Sequence, residues 1–152
     1  MTFSLTYDLE GVGWATVQIQ DGKNKVDVTV SYLHDTLREL GEAALALRNG
    51  ADSVRVVFMD EPGEVHFLGK RRGDSIDYEL RWFHDWNSWG MHPDDQFKTF
   101  QIGSLTIVKF CEEVQKEFAA LLAEYGVEGY KEKWREHEFP TDLFRELKRS
   151  KR

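Results

Sequence analysis

The side chains best suited to chemistry lie close together in residues 82–95, a segment with three tryptophans, two histidines and three aspartates. Exposed aromatic rings can stack on a sugar, a base or a side chain of a partner. Histidine and aspartate can bind zinc or iron, or transfer protons. The segment therefore predicts a partner-binding or ligand-binding site, with these candidate residues: His84, Trp86, Trp89, His92, Asp94 and Asp95.

Two roles remain open for Trp86 and Trp89, because both lie where the alternating pattern of the preceding strand has ended. As exposed rings they would contact a partner, and as buried rings they would cap the end of a sheet. Trp82 still follows the alternation, so we expect it in the core.

Catalytic and metal-binding motifs are not evident. His84 and His92 lack the spacing of a compact metal motif such as H-E-x-x-H, so we assign no metal, cofactor or catalytic residue. The acidic run DEPGE at residues 60–64 could form an acid/base pair or a site for a hard cation. Its proline and glycine are typical of a β-turn, which is the interpretation we favour.

Strand patterns flank the 82–95 segment on both sides. Apolar residues occupy every second position in 54–58 and in 76–82, which is the period of a strand with one buried face. With turn sequences at 60–63 and 70–74, this pattern predicts an antiparallel meander of four strands between Ser53 and Gly103.

Three more strands are predicted in residues 1–31, where Asp21-Gly22 is a hairpin signal between the second and third. The period then changes to a helical one, with Ser31 as the expected N-cap. This first helix is expected to end at Asn49-Gly50.

A long helix is predicted from a cap at Ser104 to a stop at Gly126. Its apolar face includes Cys111, the only cysteine, which we expect to be buried and unreactive. Its opposite face carries lysine and glutamate pairs at spacing four, which we expect to be solvated: Lys109 with Glu113, and Glu112 with Lys116. A shorter helix with Tyr130 and Trp134 and a last helical turn from Thr141 follow.

Together these patterns predict a single α+β domain over residues 1–147. We expect an antiparallel sheet of six or seven strands, with one helix after the third strand and two or three C-terminal helices on its apolar face. An alternative divides the strands between two packed sheets. Residues 148–152 form a basic tail that we expect to fray.

Composition limits the classes of partner. The formal charge is −7, and four of the last five residues are basic, so residues 1–147 carry −11. An acidic chain disfavours nucleic acid, and it suits either a basic protein partner or solubility alone. No apolar run approaches the length of a membrane span, and the N-terminus lacks the pattern of a signal peptide. The single cysteine, Cys111, fits a reducing compartment, so we expect a cytoplasmic protein.

Three motifs carry a resemblance: SYLHDTL at residues 31–37, DEPGE at 60–64, and Gly126-x-x-x-Tyr130-x-x-x-Trp134 before Phe139-Pro140. They resemble a family of small uncharacterised bacterial proteins with no known activity. As an acidic single domain of a sheet with helices and no catalytic motif, the chain is also similar to the immunity proteins that neutralise polymorphic toxins.

These resemblances imply a non-enzymatic, cytoplasmic protein-binding module, with immunity proteins as one class to which it could belong. The alternative is a small enzyme or ligand-binding domain that uses the 82–95 segment. Neither resemblance assigns a role to an individual residue.

Overall fold

The computed structural model describes residues 3–135 and 137–149, which form an α+β fold of antiparallel sheets and helices. The elements in chain order are β1 Phe3–Glu10, β2 Trp14–Asp21, β3 Asn24–Ser31, α1 Thr36–Arg48, β4 Ser53–Met59, β5 Glu64–Arg72, β6 Ser75–Phe83, β7 Lys98–Thr106, α2 Ile107–Trp134 and α3 Thr141–Lys148. The predicted fold class is confirmed, including the helix after the third strand.

The strands form two antiparallel sheets instead of one. The first has the order β1-β2-β3, and the second has the order β4-β5-β6-β7. Helix α1 separates β3 from β4 in the chain and packs against β4, so these two strands do not pair. The division into two sheets is the alternative that the sequence left open.

One continuous hydrophobic cluster joins both sheets and all three helices. Alternation turns Tyr7 and Val17 inward from the first sheet, and Phe67 inward from the second. Phe67 stacks on Phe110 of α2 with ring centroids 5.4 Å apart, and Phe118 of the same helix is fully buried. The apolar face of α2 is therefore packed in the core, as predicted.

The helix boundaries differ from expectation at both predicted caps. Asp35 caps α1 through a hydrogen bond from the amide of Arg38, because Ser31 is still part of β3. Thr106 caps α2, because β7 continues past Ser104. Gly126 has a left-handed φ of 72° that interrupts α2, which agrees with the predicted stop.

Side chains of the helices cover the free edges of two strands. On β1 the amides of Leu5 and Tyr7 donate to the carboxylates of Glu113 and Glu117 of α2, each at 2.9 Å. On β4, Val57 donates its amide to Glu39 of α1 at 2.5 Å and accepts from the Thr36 hydroxyl at 2.8 Å. Glu113 is consequently buried, and the expectation that it is solvated was wrong.

Helix α2 is the longest helix, with 28 residues. Within the two described ranges, neither α2 nor any other helix has the length and apolar character needed to cross a membrane. Lys148 is the last residue of α3, and residues 150–152 of the expected basic tail lie outside the described residues.

Candidate functional site

The predicted site residues lie in the connection between β6 and β7, residues 84–97, which we call the aromatic loop. It contains a short 3₁₀ turn, Asn87–Trp89, that ends at Gly90 with a left-handed φ of 78°. The loop folds back over the end of the second sheet, on the face directed away from the main core. This placement follows from its contacts with Asp60 and Glu64.

Glu64 is the central anchor of the aromatic loop. It begins β5, and because Val65 faces the main core, alternation directs Glu64 to the opposite face. Its carboxylate accepts two hydrogen bonds from Ser88, one from the amide at 2.8 Å and one from the hydroxyl at 2.9 Å. A single buried carboxylate thus fixes the middle of the loop.

His66 shares this carboxylate. Its Nε2 atom lies 2.6 Å from Glu64 Oε2, both side chains are buried, and the imidazole packs against Phe83 with ring centroids 4.5 Å apart. Burial alone would raise the pKa of Glu64, but the hydrogen bonds from His66 and Ser88 outweigh it and hold that pKa below the usual value. Because neither group reaches solvent, this pair supports the loop and is not available to a substrate.

Further hydrogen bonds hold the loop on either side of Ser88. The indole Nε1 of Trp86 donates to the carbonyl of Asp60 at 2.8 Å. The side-chain amide of Asn87 donates to the carbonyl of His92 at 2.9 Å and to the carboxylate of Asp94 at 2.7 Å. Asp94, a predicted site residue, therefore has an internal structural role.

The aromatic loop displays an apolar surface. Trp86 is half-buried and packs edge-on against Trp89 with ring centroids 4.9 Å apart. Trp89 is 49% exposed, and its neighbour Met91 is 59% exposed. Phe97, at the end of the loop, is 38% exposed and lies under the Arg81 guanidinium, 4.0 Å from its ring centroid. Trp86 is thus half-buried at the end of the sheet, as a capping ring would be, and Trp89 faces solvent.

His84 and His92 lie beside each other, with ring centroids 4.6 Å apart. His92 is buried, and its Nε2 lies 2.6 Å from the carbonyl of Gln96, whereas His84 and Asp95 are exposed. A cleft of about 320 Å³ lies beside them. Across residues 3–135 and 137–149, no three histidine, cysteine or acidic side chains are grouped so that they could hold a metal ion.

The three carboxylates of the DEPGE run point to different partners. Asp60 accepts a hydrogen bond from the amide of Glu61, Glu61 accepts from the hydroxyl of Ser31, and Glu64 holds the aromatic loop. Gly63 needs its left-handed φ of 94°, and a Cβ there would lie 2.5 Å from the Trp82 ring. The run forms a turn, as favoured from the sequence.

Sequence reasoning did not identify Glu64, His66 and Ser88 as the support of the loop. One signal was present, because Val57 and Met59 place apolar side chains on the second face of β4. Both residues are fully buried, and they are paired with His66 and Glu64 on β5, which are buried as well.

Searches of known protein families, curated proteins and solved structures find no match to this chain.

Proposed function

We propose that this chain is a non-enzymatic protein-binding module whose contact surface is the aromatic loop. One observation carries the proposal: Trp89 exposes half of its surface in a loop that a buried carboxylate holds in place. An apolar ring of this size is exposed against the hydrophobic effect, and contact with a partner would bury it.

Rigidity supports the proposal as much as exposure does. Binding is weakened by the entropy lost when a loop becomes ordered, and a loop already held by hydrogen bonds avoids most of that loss. The anchors at Glu64, Asp60 and Asn87 fix the backbone beneath Trp89. Tryptophan is also among the residue types that contribute most to binding energy at protein interfaces.

Charge suggests the kind of partner. The chain carries −7 at neutral pH, which would attract a basic protein and accelerate its association. An immunity protein of the cytoplasm is one instance of this class. Its partner would be a toxin domain whose activity is lost in the complex.

The proposal is tested by capture followed by measured binding. Wild-type protein and the Trp89→Ala variant are used to isolate partners from an extract of the native host, and each candidate is then purified for kinetics. We expect Trp89→Ala to weaken binding about 30-fold, the effect of losing an interface anchor worth about 2 kcal/mol. The association rate should also fall as salt rises.

Val127→Ala is the matched control, because Val127 is exposed to a similar extent, 45%, and lies outside the aromatic loop, on α2 after Gly126. Both variants should melt at the wild-type temperature. Equal affinities for the wild type and Trp89→Ala would contradict the proposal, and so would the recovery of no partner whose affinity can be measured.

The alternative, a small enzyme or ligand-binding domain, is favoured by the cleft beside His84 and His92. A ligand that binds only the folded chain raises its melting temperature. We expect no shift when zinc, iron, manganese or nickel is added. A shift that disappears when both histidines are changed to alanine would support the alternative instead.

A further inference from the structure

The four edge strands of the two sheets differ in whether side chains hydrogen-bond to their outward backbone groups. Helix side chains hydrogen-bond to the outward backbone groups of β1 and β4, through Glu113, Glu117, Glu39 and Thr36. In the described part of the chain, no side chain makes such a bond to β3 or β7. An open edge offers unpaired backbone donors and acceptors to an added strand.

Hydrogen-bond alternation identifies the groups at the open edge of β3. Leu5 and Tyr7 direct their amides outward from β1, and the pairing of β1, β2 and β3 has no register shift. Because hydrogen-bonded pairs alternate along antiparallel strands, the outward backbone groups in the middle of β3 belong to Asp27 and Thr29. Both residues are exposed.

This edge borders a cleft of about 360 Å³ between the two sheets. Four consecutive residues of β3, from Val26 to Thr29, form one side of it. The other side comes from the second sheet, where Val65 is paired with Trp82 and Trp82 with Lys98, and where Phe100 follows on β7. Val26, Trp82 and Phe100 are only partly buried against the core, so their remaining surface faces the cleft.

We infer that the β3 edge and this cleft bind an extended segment of the partner protein, which adds a fourth strand beside β3. The unpaired groups of Asp27 and Thr29 would pair with its backbone, and the apolar lining would take every second side chain. The first sheet, which has three strands, would then match the four strands of the second.

The charges that line the cleft also indicate which charge the bound segment should carry. Its ionisable residues are Asp27, Asp60 and Lys98, so acidic groups predominate. Lysine or arginine at the positions that point away from the cleft floor would complement them. The inference rests on the proposed protein-binding function, and the two surfaces are contiguous because Asp60 lines the cleft while its carbonyl holds Trp86.

The probe is a capped synthetic eight-residue peptide in which valine alternates with lysine or threonine. Amide hydrogen exchange is followed by NMR on the wild-type protein. Asp27 and Thr29 should exchange rapidly in the free protein, because their amides are unpaired, and at least tenfold more slowly at saturating peptide. A control peptide with N-methyl groups on alternate amides keeps the side chains but cannot pair along one edge, so it should produce no slowing.

A second test changes the protein. Thr29→Pro removes an outward amide that has no partner within the described chain and should weaken peptide binding at least tenfold, whereas Thr29→Ala keeps the amide and should bind like the wild type. If Thr29→Pro does not fold, the exchange experiment on the wild type still decides. Unchanged exchange at Asp27 and Thr29 with saturating peptide, or no binding at all, would overturn the inference.

The outcome is separable from that of the proposed function. Loss of partner binding in Trp89→Ala, with no slowing of exchange on β3, would retain the aromatic loop as the interface and reject strand addition. Slowed exchange on β3, with full partner affinity in Trp89→Ala, would retain strand addition and reject the loop.

Discussion

Glu113 and Glu117 provide a matched pair for testing how charge contributes to this fold. They lie one turn apart on α2, and each accepts one hydrogen bond of 2.9 Å from an amide of β1. Both are buried, yet their ionic surroundings differ. Glu113 has Lys109 at 3.2 Å and Lys116 at 3.0 Å, whereas no salt bridge to Glu117 is formed within the described ranges.

The pKa values of the two groups shift in opposite directions. Burial would raise the pKa of Glu113, but the Leu5 amide and the two lysines outweigh it and lower that pKa. Burial raises the pKa of Glu117 above its usual value, and the hydrogen bond from Tyr7 only partly opposes it. The charge on Glu113 therefore stabilises the folded state, and the charge on Glu117 destabilises it.

Replacement by glutamine keeps an oxygen acceptor and removes the charge. The two lysines are 40% and 53% exposed, so solvent screening limits the contribution of each ion pair to stability to about 0.5 kcal/mol. A hydrogen bond that loses its charged acceptor weakens by about 0.5–1 kcal/mol. Glu113→Gln should therefore lower the free energy of unfolding by about 1.5–2 kcal/mol at pH 7. For this chain length, that lowers the melting temperature by about 3–8 °C. Glu117→Gln should stay within about 0.5 kcal/mol of the wild type, or exceed it.

Denaturant titration between pH 3 and pH 7 separates the two variants. A lowered pKa stabilises the fold above the unfolded value of about 4.3, and that contribution disappears as the pH falls through the folded value. The deficit of Glu113→Gln should therefore shrink below about pH 4. A raised pKa has the opposite effect. As the pH falls through the folded pKa of Glu117, the wild type should therefore become more stable relative to Glu117→Gln. Equal losses with the same pH dependence would refute the assignment of charge to Glu113.

Three further predictions concern the core and the loop support. Phe118→Ala, at a fully buried position of α2, should cost about 3–5 kcal/mol by denaturant titration, and a loss below about 1 kcal/mol would place that face in solvent. Glu64→Gln should lower the free energy of unfolding by about 1–3 kcal/mol at pH 7. Because the folded pKa of Glu64 is lowered, this difference from the wild type should become smaller below about pH 4. A difference in stability that does not change with pH would contradict the role of the charge. The buried hydroxyl of Tyr130 has no hydrogen-bond partner within the described residues, so Tyr130→Phe should change stability by less than about 1 kcal/mol, and a loss above about 2 kcal/mol would reveal a partner for the hydroxyl.

The sequence predicted the strands well because alternation reports directly which face of a strand is buried. It did not predict how the strands divide between sheets, since alternation contains no information about which strand lies beside which. The break between β3 and β4 arises from α1, whose Glu39 and Thr36 occupy the edge of β4 that a neighbouring strand would need.

The sequence indicated which segment carries the candidate residues, but it did not indicate which side chains hold that segment. Unusual composition identified the aromatic loop, including the exposed Trp89. Its anchor at Glu64 was missed because the partner, Ser88, is 24 positions away, beyond the reach of local spacing rules. Glu113 was misjudged for the same reason, since its spacing to Lys109 indicates a solvated pair while the Leu5 amide that buries it is 108 positions away.

Hydroxyl-radical footprinting of the partner complex tests the central proposal most directly, because it reads the exposure of individual side chains. Trp89 and Met91 are 49% and 59% exposed in the free protein, and Val108 and Val127 on α2 are 66% and 45% exposed. If the aromatic loop is the contact surface, the oxidation rates of Trp89 and Met91 should fall at least threefold in the complex while those of the two valines stay unchanged. Undiminished oxidation of Trp89 and Met91, with protection at the valines instead, would contradict the account.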